Sequence, residues 1–292
     1  MNVDATHVTY YVIVMANNLP HAKQVAVLSA LVEGCSVRST ERMVGVHRDT
    51  ICRLLVRVGE GCANLIDQRM VDLDSNRLEI DESWSFVGKK QRNVRSSDSA
   101  DMGDAWTYVA IDADTKLIPS WLVGRRTQAS TNASIADVSS RLRNRVQVST
   151  DGLRMYIDAI RTSFGTDGVD YAQIVKSCEA DPIGEGRCSP PRVSSVEKTP
   201  VFGEPIAELV STSYVERHNL TMRMSMRRFT RLTNAFSKKL ENHCAAVAPH
   251  VAQYNFVRIH RTLRVTPAMA ASVETKTWNM GDLLDAATGG AS

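Results

Sequence analysis

The chain has 292 residues, 43% of them hydrophobic and 23% charged, with a net charge of +3. These values are ordinary for a soluble globular protein of one large or two modest domains, and a charge that small makes no global argument for nucleic acid. No run approaches the roughly 20 apolar residues of a membrane span. The short apolar stretch Val8–Met15 follows Asp4 and lacks a basic flank, so it does not read as a signal peptide, and a cytoplasmic protein with no membrane partner is expected.

Residues from Ala22 to Gly59 read as helices with tight breaks. Val25, Leu28, Leu31 and Val32 recur at helical spacing, Gly34 stops the first helix, and Ser36 can cap a short second one ending at Gly45. A third helix from about Arg48 to Val58 presents Ile51, Leu54, Leu55 and Val58 on one face and Arg48, Asp49, Thr50, Arg53 and Arg57 on the other. A short helix, a glycine turn and a helix with an arginine-bearing face is the pattern of a helix-turn-helix, whose side chains reach base edges and phosphates. A plain three-helix packing unit with a solvated basic face has the same pattern. The helix-turn-helix DNA-binding region is expected over residues 1–72.

From Arg77 the periodicity changes. Strands are expected at Leu78–Val87, Ala105–Ile111 and Leu117–Val123, joined by a polar loop over Lys89–Met102 and a turn at Asp112-Ala113-Asp114. Thr131–Arg145 reads as a helix, Val146–Val148 as a strand ending at Asp151, Leu153–Phe164 as a helix and Tyr171–Val175 as a fifth strand. Five of the nine prolines fall between Lys176 and Glu208, which reads as a long connection with little regular structure. Helices resume at Ser213 and again over Glu241–Phe256, and the end beyond Thr266 reads as short helices and a frayed tail. The expected class is α/β. A mixed five-stranded sheet with helices, in the strand–helix order of a ribonuclease H-like domain, covers residues 73–271 with a Pro-rich insertion at about 176–212, and residues 272–292 form a tail.

Three acids stand out in this frame. Asp81 lies inside an apolar strand, where an unpaired charge is costly; Asp151 ends another strand; Glu216 lies early in a helix. An α/β sheet carries its site at the carboxyl ends of its strands, so the three can converge and hold two divalent cations that stabilise an in-line displacement at phosphorus. Glu79 and Glu82 flank Asp81, but only one side of a strand faces the site. Asp112 and Asp114 read as turn acids.

From Arg217 to Lys239 there are seven basic residues and no acid: Arg217, Arg223, Arg227, Arg228, Arg231, Lys238 and Lys239. Arg223 follows Glu216 by two helical turns and shares its face, where a cation can hold a DNA phosphate beside the metals. Met222, Met224 and Met226 read as packing residues. The six cysteines, Cys35, Cys52, Cys62, Cys178, Cys188 and Cys244, form no CxxC pattern and read as free thiols. Cys178 and Cys188 flank a glycine-containing loop, and a pair or a metal site there is the alternative.

The motifs Ile80-Asp81-Glu82 and Thr150-Asp151-Gly152, the stretch from Ser211 to His243 containing Tyr214-Val215-Glu216-Arg217-His218-Asn219, and the runs Tyr254–Leu263 and Thr266–Ala270 resemble bacterial insertion-sequence transposases of the IS-one type, members of the DDE recombinases. The likeness covers about Ala22 to Ala271. It implies a ribonuclease H-like fold, Asp81, Asp151 and Glu216 as catalytic and metal-holding acids, and Arg223 as the basic position after the glutamate. It further implies magnesium or manganese, cutting of element ends and their joining to target double-stranded DNA, a homo-oligomer on paired ends, and a nucleoid-associated location. Typical members carry a cysteine-rich zinc segment before the helix-turn-helix; here the first cysteine is Cys35. A ribonuclease H-like nuclease without strand transfer and an inactive DNA-binding relic or repressor are the competing readings.

Overall fold

The computed structural model describes residues 19–179, 192–230 and 234–289. Three helices open it: α1 (His21–Val32), α2 (Val37–Val44) and α3 (Arg48–Arg69). Ser36 caps α2 by accepting from the Ser39 amide at 3.1 Å, and Gly45, in the left-handed region at φ 67°, ends it. The α3 face of Ile51, Leu54, Leu55 and Val58 is buried, but the helix continues eleven residues past its expected end, to Arg69. The extension is held because Cys62, Leu65 and Ile66 carry the apolar stripe onward.

The sheet follows, as β1 (Arg77–Val87), β2 (Gly103–Asp112), β3 (Ser120–Gly124), helix α4 (Gln128–Ser140), β4 (Val146–Asp151), helix α5 (Met155–Phe164), β5 (Val169–Glu179) and β6 (Arg192–Phe202). The spatial order is β3-β2-β1-β4-β5-β6, with β1, β4 and β5 parallel and the outer strands antiparallel. The sheet therefore has six strands rather than five. The sixth comes from the proline-rich segment expected to be irregular, and it lies at the edge, the place in a sheet where proline is tolerated; Pro200 stands opposite Ala172 beside a register shift. Cys178 and Cys188 lie where side chains fall outside the described residues. After β6 come α6 (Ser213–Ser225), α7 (Leu240–Ala252), the short α8 (Pro267–Ala270) and α9 (Met280–Thr288).

Each face of the sheet carries its own core. Leu78, Ile80, Tyr108 and Ala110 pack with Ile135, Val138, Tyr156 and Ile160 of α4 and α5. Val109, Ile111, Leu117 and Ile118 face the opposite side and join a cluster shared by α1, α3, α6, α7 and α9. Asn255, just past α7, ties that layer to the sheet: its Oδ1 accepts from the Ile118 amide at 3.0 Å and its Nδ2 donates to the Ile118 carbonyl at 2.9 Å. In α3, Gly59 and Gly61 permit close helix contact, since a Cβ at Gly61 would stand 1.7 Å from the Ala287 carbonyl oxygen of α9. Gly61→Ala is expected to destabilise the protein by about 2 kcal/mol or more, read in a urea melt, because backbone must move to relieve the overlap. An unchanged midpoint would contradict this packing.

Candidate active site

Strand β4 runs parallel to β1 only from Arg77↔Gln147 to Ile80↔Thr150. Beyond that pair β4 ends at Asp151 and turns away, while β1 continues through Asp81 and Glu82. The two faces of β1 open into one gap at this point. Asp81, Glu82 and Asp151 each place a carboxylate oxygen there, all within 4.8 Å of one another. Strand alternation predicts that Glu82 faces away from Asp81; the end of β4 removes the wall that would have separated them. Glu82 is accordingly a residue of the site that the sequence reading set aside.

The carboxylates are held from several sides. Asp81 Oδ2 accepts from Asn219 Nδ2 of α6 at 2.8 Å. Asp151 Oδ1 accepts from the Leu153 amide at 3.0 Å. Glu82, buried, accepts from the Tyr156 hydroxyl at 2.8 Å and from Arg126 Nε at 2.6 Å. Arg126 stacks over Trp106, 4.7 Å from the ring centroid, and its Nη2 stands 4.0 Å from Asp151 Oδ2.

Glu79, two residues before Asp81 and on the same face of β1, is buried. Its Oε2 accepts from the Tyr214 amide at 2.7 Å and the Val215 amide at 3.0 Å, the first turn of α6. A carboxylate there compensates the unpaired amides and the positive end of the helix dipole. One strand thus carries both an acid of the site and the group that docks the helix bearing Glu216 and Asn219.

Glu216 itself stands outside the three-carboxylate cluster. Its carboxylate accepts from Thr212 Oγ1 at 2.7 Å and pairs with Lys176 of β5. It is still close enough to act on Asp81. Burial foremost, then the charge of Glu82, with smaller contributions from Asp151 and Glu216, pushes the Asp81 carboxyl up to about 7. Burial, then Asp151, likewise raises Glu82. Crowded carboxylates of this kind offer only hard oxygen donors, the set that a divalent cation such as magnesium or manganese accepts, and a cation would relieve the repulsion that raises Asp81. The donor set fits.

The expected basic residues are dispersed. Arg223 is half-buried on α6. Arg48, Arg53 and Arg57 of α3 are exposed and Thr50 partly so; Arg57 donates to Gln24 Oε1 at 2.6 Å. Arg217, Arg227, Lys238 and Lys239 are exposed, and Arg231 lies outside the described residues. Arg48, Arg227 and Lys238 border one cleft of about 1350 Å³ between the α2–α3 end and the start of α7. Arg228 departs from the expectation of a DNA contact. Its guanidinium turns inward, donating to Ser237 Oγ at 2.7 Å and the Asn242 carbonyl at 2.8 Å, and burial lowers its pKa. Met222 and Met226 are buried while Met224 is exposed. Asp112 is a turn acid, its Oδ1 accepting from the Asp114 and Thr115 amides, and Asp114 pairs with Arg77. Among the described residues no helix is long and apolar enough to cross a membrane.

No protein-family model and no curated protein matches the chain. Among solved structures it is similar to a piggyBac transposase synaptic complex with hairpin DNA, at 12% identity over 92% of this chain and 69% of that one, TM-score 0.45. It is similar to a Mos1 transposase paired-end complex with left transposon end, at 14% identity over 49% of this chain and 56% of that one, TM-score 0.21. An Aquifex aeolicus Argonaute matches at 10% identity over 61% of this chain and 28% of that one, TM-score 0.28. Likeness of this degree assigns the chain neither a family nor an activity.

Proposed function

We propose that this chain is a DNA transposase that cuts the ends of an insertion sequence and joins them to target DNA by metal-assisted phosphodiester transfer. The observation that carries the reading is the meeting of Asp81, Glu82 and Asp151 where β4 leaves β1, with the Glu216 helix docked on the same strand through Glu79. The resemblance of the stretches around Glu216 and Tyr254 supports transposition over simple nucleolysis. Asp81, Asp151 and Glu216, joined by Glu82, would hold magnesium or manganese, two ions per site. Such ions, when bound, activate an attacking oxygen and stabilise the leaving one.

The chain's own residues do the rest. Asn219 fixes the Asp81 carboxylate, and Tyr156 fixes Glu82. Arg223, with Arg217 on the same helix, supplies charge for a phosphate near the acids. Arg48, Thr50, Arg53 and Arg57 on α3, within the 1–72 segment, would read double-stranded DNA in the manner of a helix-turn-helix, with Arg227, Arg231, Lys238 and Lys239 adding backbone contacts. Action on paired ends calls for a homo-oligomer.

The test is a joining assay. A duplex ending in a free 3′-hydroxyl at the element's end, incubated with plasmid and magnesium or manganese, is expected to become covalently attached. Asp151→Asn should bind the same duplex with unchanged affinity and give no joined product. Hydrolysis without joining would replace this reading by a nuclease, and equal activity of the variant would remove Asp151 from the site.

A further inference from the structure

Two cations of the chain sit on the carboxylates that the proposed metal site requires. Arg126 donates to Glu82 and stands 4.0 Å from Asp151. Lys176 pairs with Glu216. Between them they engage three of the four acids, and the fourth, Asp81, has among the described residues only the neutral amide of Asn219 as its side-chain partner.

Each acid also has a neutral partner. Glu82 keeps the Tyr156 hydroxyl and Glu216 keeps Thr212. Both cations are also reachable from solvent, the side chains of Arg126 and Lys176 being 38% and 35% exposed. They come from flexible-stemmed residues beside the gap: Arg126 in the loop leading into α4, and Lys176 on β5 near the edge of the sheet. A positive charge this close to a bound divalent cation repels it, while a phosphodiester strand entering the gap offers the same guanidinium and ammonium a new anionic partner.

We propose that Arg126 and Lys176 are positioning residues that act as exchangeable counter-cations: they hold the carboxylates in a metal-poor state until DNA phosphate draws them off. This rests on the metal-site reading above and assigns to two residues a coupling between DNA and ion binding.

The test is manganese binding to the full chain, measured by titration calorimetry without and with DNA. Arg126→Gln and Lys176→Gln are each expected to bind manganese roughly threefold to tenfold more tightly than wild type. Arg126→Lys and Lys176→Arg, which keep the charge, should bind like wild type. A blunt DNA duplex should tighten manganese binding by wild type, and by less in the doubly neutralised variant. A residue with a merely structural role gives the opposite sign, since its loss loosens the site and weakens binding. Wild-type binding with equal or weaker affinity in the neutralised variants overturns this inference alone. If neither wild type nor any variant binds manganese, with or without duplex, while all give the same folded circular-dichroism spectrum, the metal-site reading fails and this inference with it.

Discussion

Asp81→Asn is expected to make the metal-free protein more stable while abolishing its chemistry. Burial and the neighbouring Glu82 raise the Asp81 carboxyl to about 7, against about 4 in an unfolded chain. Between those values the native protein holds a proton that the unfolded chain has released. Wild-type stability therefore falls as pH rises from about 4 to about 7, and the loss is complete above 7. Asparagine keeps the side-chain oxygen that accepts from Asn219 and carries no charge, so it removes this loss. In urea melts with EDTA at pH 8 the variant should be more stable by roughly 2–4 kcal/mol, one pKa unit being worth about 1.4 kcal/mol. Near pH 4 the two proteins should melt together. Divalent ions should stabilise the wild type and leave the variant unmoved. Equal stability at pH 8, or retained cleavage, would contradict the placement of Asp81 at the centre of the carboxylate cluster.

Glu79→Ala is expected to be the most damaging change outside the acids that would touch metal. The buried Glu79 carboxylate receives the Tyr214 and Val215 amides, and its removal leaves both donors of the first α6 turn without an acceptor. Hydrogen bonds to a charged group contribute about 1.5–3 kcal/mol, and stranding the buried Val215 amide adds to the loss. A destabilisation of roughly 3 kcal/mol in a denaturant melt is therefore predicted, together with weaker divalent-ion binding, because α6 carries both Glu216 and the Asn219 that fixes Asp81. Wild-type manganese affinity in a folded Glu79→Ala protein would show that α6 is positioned by other contacts.

What the sequence showed of this molecule follows from which interactions are local. The buried face of α3 and the helix bearing Glu216 announce themselves through periodicity, because each buries one stripe against a core, and the strand bearing Asp81 through its apolar run, since β1 is buried on both faces. Strand β6 does not, since its prolines read as a loop; at a sheet edge a strand tolerates them. Glu82 lies on the other face of β1 from Asp81, as alternation requires, and the two carboxylates approach each other only past the end of β4, which no local pattern shows. Asn219 sits one helical turn from Glu216, a spacing visible in the sequence once that acid is suspected. Arg126, Tyr156 and Lys176 meet the acids only through chain separations of dozens of residues. No pattern in a single sequence records such pairings.

The most direct test is cleavage of a plasmid carrying the DNA that flanks this gene, with magnesium, manganese or calcium, by wild type and Asp151→Asn side by side. Nicks at fixed positions are expected with magnesium or manganese, each leaving a 3′-hydroxyl, and none from the variant. DNA binding without any cut, and without joining when pre-cleaved ends are supplied, would contradict the transposase reading.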